Sequence, residues 1–73
     1  MRDWLYNIRK QNLLTMKEVA NALGISESYY CVIEHGNRQR LMDVRTASVL
    51  ARLFHMSVED VCRMEEQWRA EEE

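Results

Sequence analysis

The most constraining feature of the chain is the stretch of residues 15–36, which has the pattern of two short helices joined by a tight turn. Thr15 followed by Glu18 is the capping-box pattern that begins a helix. Gly24 is the residue type that ends one, because glycine adopts positive φ without a steric cost. Ser26 can then cap a second helix, which continues to the end of the stretch. So short a connection packs the helices at a large angle, and the stretch predicts a helix-turn-helix unit.

Apolar residues recur with helical spacing in the rest of the chain. The spacing predicts a first helix over residues 2–11, a fourth that follows a cap at Asp43, and a fifth that begins at a Ser57–Asp60 capping pattern. The fourth helix should bury a stripe consisting of Val44, Ala47, Leu50, Ala51 and Phe54. The absence of proline favours helices over a β sandwich. We therefore expect an all-α fold.

The acidic end of the chain sets a boundary between a domain over residues 1–64 and a tail over residues 65–73. The tail holds five acidic residues and one basic residue, in a composition that favours a helical extension. We expect a mainly solvated helix end. The alternative is that Trp68 and Met64 form a dimer contact or cover the core.

The net charge of −2 does not by itself exclude a nucleic-acid partner, because its distribution is uneven. Residues 1–40 hold six basic and four acidic residues, and residues 41–64 hold three of each, so the tail supplies the whole negative excess. A local basic patch is what binding to phosphates requires.

Several classes of function find no support in the sequence. No nucleophile, base and orienting residue occur in a pattern that this fold would bring together, so catalysis and a cofactor are not expected. Cys31 and His35 are four residues apart and could face one metal, but two ligands do not make a site, and no metal is expected. No signal peptide or membrane-spanning run is present, which predicts a cytoplasmic protein with reduced Cys31 and Cys62.

Taken together, these segments resemble the Cro/repressor-type helix-turn-helix proteins, also called the XRE family, over about residues 5–62. The marks of the resemblance are Ile8-Arg9, Leu14-Thr15, Glu18-Val19-Ala20, Leu23-Gly24-Ile25-Ser26, Ile33-Glu34, Gly36, and Ala51 through Val61. The resemblance implies a five-helix, lambda-repressor-like DNA-binding domain that acts as a homodimer on double-stranded operator DNA. It also implies that Arg9 pairs with Glu34 to fasten the first helix to the third.

The resemblance further implies which side chains of the third helix, about residues 27–35, read base edges in the major groove. These are Glu27, Ser28, Tyr29 and Val32. Their chemistry suits the role, because a carboxylate can accept from cytosine N4, a hydroxyl can bond several base edges and a valine can touch a thymine methyl. For Tyr29, contact with DNA and plain surface exposure are equally open.

Contacts to phosphates are expected from three basic residues near this unit. Lys17 begins the second helix, whose N-terminal amides also favour an anion. Arg38 and Arg40 follow the third helix in a polar loop. Such contacts position a protein on DNA without reading sequence.

The chain departs from the family pattern at Met16, where glutamine is common, and at His55, where glycine is common. The first change removes a phosphate contact, and the second predicts a helix end other than a left-handed cap. Met16, Glu27 and the negative net charge favour an alternative function, a protein-interaction module of the same fold such as an antitoxin or a repressor antagonist. The leading hypothesis remains a transcriptional repressor that reads a pseudo-palindromic operator.

Overall fold

The computed structural model describes residues 1–36 and 42–72, and within these ranges every regular element is a helix. The elements are α1 (Asp3–Gln11), α2 (Met16–Leu23), α3 (Glu27–His35), α4 (Val44–Leu53) and α5 (Val58–Glu72). The predicted all-α, five-helix fold is confirmed. Arg38 and Arg40 lie outside the described residues, so their predicted contacts with phosphates stay predictions.

The helices α2 to α5 begin where the sequence predicts that they begin, because each of these starts depends on a local side-chain cap, whereas α1 begins at Asp3 with no side-chain cap. The Thr15 hydroxyl accepts from the Glu18 amide at 3.1 Å while the Glu18 carboxylate accepts from the Thr15 amide at 3.0 Å. The three other caps are one hydroxyl or carboxylate each, namely Ser26 on α3, Asp43 on α4 and Ser57 on α5. Each cap satisfies one amide that has no partner inside its helix.

The core lies where α2 packs against α3 and α4 and where α1 closes over α3. Its fully enclosed side chains are Leu5, Val19, Ala20, Leu23, Tyr30 and Leu50, with Phe54 at its edge. A smaller cluster of Ala47, Ala51 and Val61 joins α4 to α5. The prediction that Val44 belongs to the buried stripe of α4 is wrong. Val44 is the first residue of α4, beyond the end of the core, and it is 78% exposed.

Three helices end in the same left-handed turn, and only one of the three uses glycine. Gly24, Leu13 and His55 have φ of 72°, 57° and 58°. After α4, the His55 amide donates to Arg52 O and the Met56 amide donates to Ala51 O, which is the Schellman arrangement. The prediction that His55 makes a different kind of helix end is therefore wrong. The turn is imposed by the packing of α4 on α5, and the histidine adopts it despite the steric cost to its Cβ.

Replacing His55 by glycine should stabilise the protein. His55 is exposed, so its side chain contributes little, while its left-handed backbone costs about 1 kcal/mol relative to glycine. We expect the melting temperature of His55→Gly to rise by about 4–8 °C in thermal unfolding followed by circular dichroism. Arg52→Gly, in the exposed part of α4, is the matched control and should lower it. An unchanged or lower melting temperature in His55→Gly would contradict the assignment of strain to this residue.

The acidic segment continues α5 without a break to Glu72, as a helical extension would. It is not simply solvated. Trp68 is 6% exposed and Glu65 is 7% exposed, and both pack against the beginning of the chain. Trp68 therefore does not belong to a solvated helix end, since it covers the beginning of the chain and the end of α3, and a dimer contact at Trp68 stays a prediction. The boundary drawn at residue 64 falls inside α5.

None of the helices within residues 1–36 and 42–72 is both long enough and apolar enough to cross a membrane.

Candidate nucleic-acid interface

The outer face of α3 carries the side chains that were predicted to read bases. Ser26 caps the helix, and Tyr30 and Glu34 point inward and are buried. Opposite them, Tyr29 is 46% exposed and Val32 is 51% exposed. The other two predicted residues, Glu27 and Ser28, are exposed in the first turn. All four predicted base-reading residues are therefore exposed to solvent on one nine-residue helix.

α2 packs directly on α3, and the first turn of α2 holds a predicted phosphate contact. Lys17 is exposed there. The Met16 and Lys17 amides lie in the first turn of α2, where no carbonyl of the same helix can accept from them. They are therefore available to an anion. Met16 itself packs against the core and presents no hydrogen-bonding group. Any anion at this helix end therefore meets one ammonium group and two amides.

A basic residue that sequence reasoning missed, Arg45, lies next to α3. Its Nη1 donates to Leu23 O, at the last residue of α2, at 3.2 Å. Arg45 also lines a cavity of about 160 Å³ together with Tyr29, Val32 and Thr46. Its place in the second position of α4 gave no periodic signal, because only the packing of α4 against α2 brings it to the exposed side of α3.

Arg9 and Glu34 hold α3 against α1 from the buried side. Arg9 Nε donates to Glu34 Oε2 at 2.8 Å and Nη2 donates to Oε1 at 2.9 Å, while Nη1 caps Leu14 O at 2.9 Å. Burial alone would raise the pKa of Glu34, but the hydrogen bonds and charge of Arg9, with the nearby Tyr30 hydroxyl, lower it overall. The hydrogen bond to Glu34 likewise raises the pKa of Arg9 against the opposing effect of burial.

The Tyr30 hydroxyl is buried next to this ion pair and makes no hydrogen bond of good geometry among the described residues. Burial, followed by the proximity of the Glu34 carboxylate, raises the pKa of Tyr30 far above its ordinary value. Tyr30 is thus a neutral core residue, as its helical phase predicted, and it contributes nothing to the outer surface of α3.

A second buried ion pair, which the sequence analysis did not find, joins the two ends of the chain. Arg2 Nε donates to Glu65 Oε1 at 2.9 Å and Nη2 donates to Oε2 at 2.8 Å, and Trp4 Nε1 donates to Oε1 at 3.2 Å. Burial raises the pKa of Glu65, and the hydrogen bonds and charge of Arg2 more than reverse this, so the pKa is lowered overall. The partners are 63 residues apart, and no motif links them in sequence.

These two ion pairs make the stability of the fold sensitive to acid. Both glutamates have a pKa below the ordinary value of 4.5 in the folded state, so they bind protons less readily there than in the unfolded chain. Their contribution is present above pH 4.5 and is lost as the pH falls through the folded pKa values. We expect the melting temperature to be flat near neutral pH and to fall as the pH drops below about 4.5.

Thermal unfolding at a series of pH values measures this effect, and Glu66→Gln provides the matched control. Glu66 is exposed one residue after Glu65, so its substitution should leave the pH dependence unchanged, whereas Glu65→Gln should make it shallower. A melting temperature that stays level down to about pH 3 would show that the ion pairs do not act in this way.

Cys31 and His35 are the only feature of α3 that suggests a metal, and the geometry offers little for one. Cys31 Sγ lies 3.4 Å from His35 Nδ1, and the same nitrogen lies 2.8 Å from Cys31 O. Within residues 1–36 and 42–72, no group of three or more potential ligands comes together.

Two helices that meet at a glycine turn, with the second one exposed along one face and held from behind, define a helix-turn-helix protein. The family model described as helix-turn-helix matches residues 5–61, and the chain belongs to that family, the Cro/repressor or XRE type. It is accordingly a DNA-binding regulator of the XRE type, a class that is regulatory and not typically enzymatic. Comparison with curated proteins and with solved structures gives no match.

Proposed function

We propose that this protein is a transcriptional repressor that reads a pseudo-palindromic operator with α3 in the major groove. The observation that carries the proposal is that four side chains of base-reading chemistry on α3 are all exposed to solvent. Glu27, Ser28, Tyr29 and Val32 read the bases. The major groove admits an α-helix and presents a distinct pattern of donors and acceptors for each base pair.

The phosphates on either side of the groove are contacted by basic groups that flank α3. Lys17 and the first amides of α2 bind one strand, and Arg45 is a further contact near the beginning of α4. Arg38 and Arg40, outside the described residues, complete the set. These contacts fix the register in which α3 enters the groove.

The protein acts as a homodimer. A two-fold pair of domains places two recognition helices in successive major grooves, so the half-sites lie about one helical turn apart. The dimer then represses transcription by occupying the site that polymerase needs. This is the simplest output of a chain whose described residues form one helical domain.

A second candidate function is that of a protein-interaction module, such as an antitoxin or a repressor antagonist. The observation that favours it is the exposed Glu27 in the first turn of α3, because its negative charge opposes the approach of a polyanion. Met16 offers no phosphate contact in compensation. The dependence of DNA affinity on salt distinguishes the two functions, because only DNA binding releases counterions.

DNA affinity should fall steeply as salt rises, and Lys17→Ala and Arg45→Ala should each make this dependence shallower. Each phosphate contact adds about 0.9 to the slope of log K against log salt, so each variant should lose about that amount and bind all sequences more weakly. Arg38→Ala and Arg40→Ala should behave alike. Ser28→Ala and Val32→Ala should instead relax the preference at particular base pairs. Fluorescence anisotropy with duplexes selected from a random pool measures both effects.

Arg63→Ala is the matched control, because it removes the same charge from an exposed ion pair with Asp60 on α5. Its salt slope should equal that of the wild-type chain. If the four variants that lack a predicted phosphate contact behave like this control, the phosphate contacts are assigned incorrectly. If the wild-type chain selects no duplex and its affinity is insensitive to salt, the protein-interaction function is favoured.

A further inference from the structure

We propose that Met1, Arg2, Glu65 and Trp68 form a terminal clamp that positions the recognition helix, so that Arg2 and Glu65 determine how well α3 reads DNA. The proposal rests on the DNA-binding function proposed above and adds positioning residues that touch no DNA themselves. Its starting point is that the two ends of the described chain meet at the last turn of α3.

Arg2 caps the C-terminal end of α3. The last carbonyls of a helix have no partner within it and must be satisfied from outside. The Arg2 amide donates to Glu34 O at 2.8 Å, and Arg2 Nη1 donates to Ile33 O. A guanidinium at this end also interacts favourably with the negative pole of the helix dipole. Arg2 therefore does for α3 what a C-terminal cap does.

Two residues of α5, Glu65 and Trp68, hold the Arg2 side chain in place. The Glu65 carboxylate accepts from Nε and Nη2 of Arg2, so the guanidinium is held in a bidentate fork with its third nitrogen directed at α3. The Arg2 guanidinium lies over the Trp68 ring, with the ring centroid 5.0 Å from the guanidinium carbon. Trp68 Nε1 also donates to Met1 O at 2.7 Å. These contacts with Glu65 and Trp68 hold the Arg2 guanidinium in one orientation.

Trp68 also packs directly against the end of α3, at Gly36. Gly36 has φ of 80°, and a Cβ at that position would lie 2.9 Å from the Trp68 ring. The chain thus leaves α3 against the indole with no room for a side chain. Together with the Ser26 cap at the other end, the clamp holds both ends of a nine-residue helix.

The consequence for recognition follows from where the clamp acts. Val32 precedes the two carbonyls that Arg2 caps, and it stands on the outer face of the same turn. A reading side chain contributes specificity only if its backbone is held within a fraction of an ångström of the productive position. Phosphate contacts from α2 and α4 do not depend on that turn. Loosening the clamp should therefore reduce sequence preference more than general affinity.

Glu65→Gln and Arg2→Lys test the clamp, with Glu66→Gln and Arg63→Lys as controls that make the same changes at exposed sites on α5. All proteins are compared at a temperature where circular dichroism shows each to be folded. We expect the two clamp variants to bind the selected duplex about tenfold more weakly, because a base-reading side chain that is no longer held in place loses a contact of about that worth. Their affinity for an unrelated duplex should stay within about twofold of wild type, and the controls should match wild type on both duplexes.

Amide hydrogen exchange without DNA provides a readout that is independent of the proposed function. The His35 and Gly36 amides should exchange about tenfold faster in Glu65→Gln, while the Leu50 amide in the core stays unchanged. Unchanged exchange at the end of α3, or an equal loss of affinity for both duplexes, overturns the clamp. A wild-type chain that prefers no sequence refutes the proposed function instead, and the clamp is then judged by exchange alone.

Discussion

A chain that stops after Met64 should be far less stable than the full chain. Without residues 65–73 it lacks the Glu65 carboxylate that pairs with Arg2 and the Trp68 indole that covers Arg2 and Gly36. Losing a buried tryptophan side chain costs about 3–5 kcal/mol, and leaving a buried charge without its partner costs a similar amount. The two losses overlap, because removing the indole also lets water reach Arg2.

Even the smaller figure is a large part of what a domain of this size has available. At about 0.05–0.15 kcal/mol per residue, the whole chain is stable by about 4–11 kcal/mol. Circular dichroism during thermal unfolding is the measurement, with a chain that stops after Ala70 as the control, since it retains both Glu65 and Trp68. The control should melt close to the full chain. A chain of residues 1–64 that melts within about 5 °C of it would mean that α5 after Met64 is dispensable.

Arg9→Ala should be the most damaging single change on the buried side of α3. It leaves the Glu34 carboxylate buried without a counterion, and it also uncaps Leu14 O. We expect a loss of about 3–5 kcal/mol in the free energy of unfolding, which lowers the melting temperature by at least about 12 °C.

Arg52→Ala is the matched control, because Arg52 is exposed on α4 and its substitution should change stability by no more than about 0.5 kcal/mol. The double change Arg9→Met with Glu34→Leu should recover most of the loss, since it leaves no unpaired charge in the core. Urea unfolding of the four proteins gives the free energies directly. Normal melting of Arg9→Ala would reject the structural role of the pair.

The parts of the fold that could be predicted from sequence are those governed by neighbours along the chain. A cap such as Thr15 with Glu18 acts over three residues, so the spacing visible in the sequence is the spacing of the two residues that form the hydrogen bonds. The inward phase of Tyr30 and the outward phase of Val32 follow equally from helical geometry. This is why the bounds of the helices and the exposed face of α3 were predictable.

The parts that escaped prediction depend on packing between distant segments. Arg2 looked like an ordinary first-turn residue, and Glu65 looked like one of five acidic residues in a solvated tail. Nothing in the sequence indicated that α5 returns to the start of the chain. The prediction for the helix end at His55 was wrong for a related reason. Tertiary packing imposed a left-handed turn there, which the residue type alone argues against. Arg45 reaches the side of α3 only through the contact of α4 with α2.

The meeting of the two chain ends at α3 has a mechanical consequence. A force that pulls residue 1 away from residue 72 acts first on the contacts nearest those points, which are Trp68 with Met1 and Arg2 with Glu65. The apolar core between α2 and α4 carries no load until these contacts break. Under tension, the last turn of α3 would therefore lose its support before the rest of the domain begins to open.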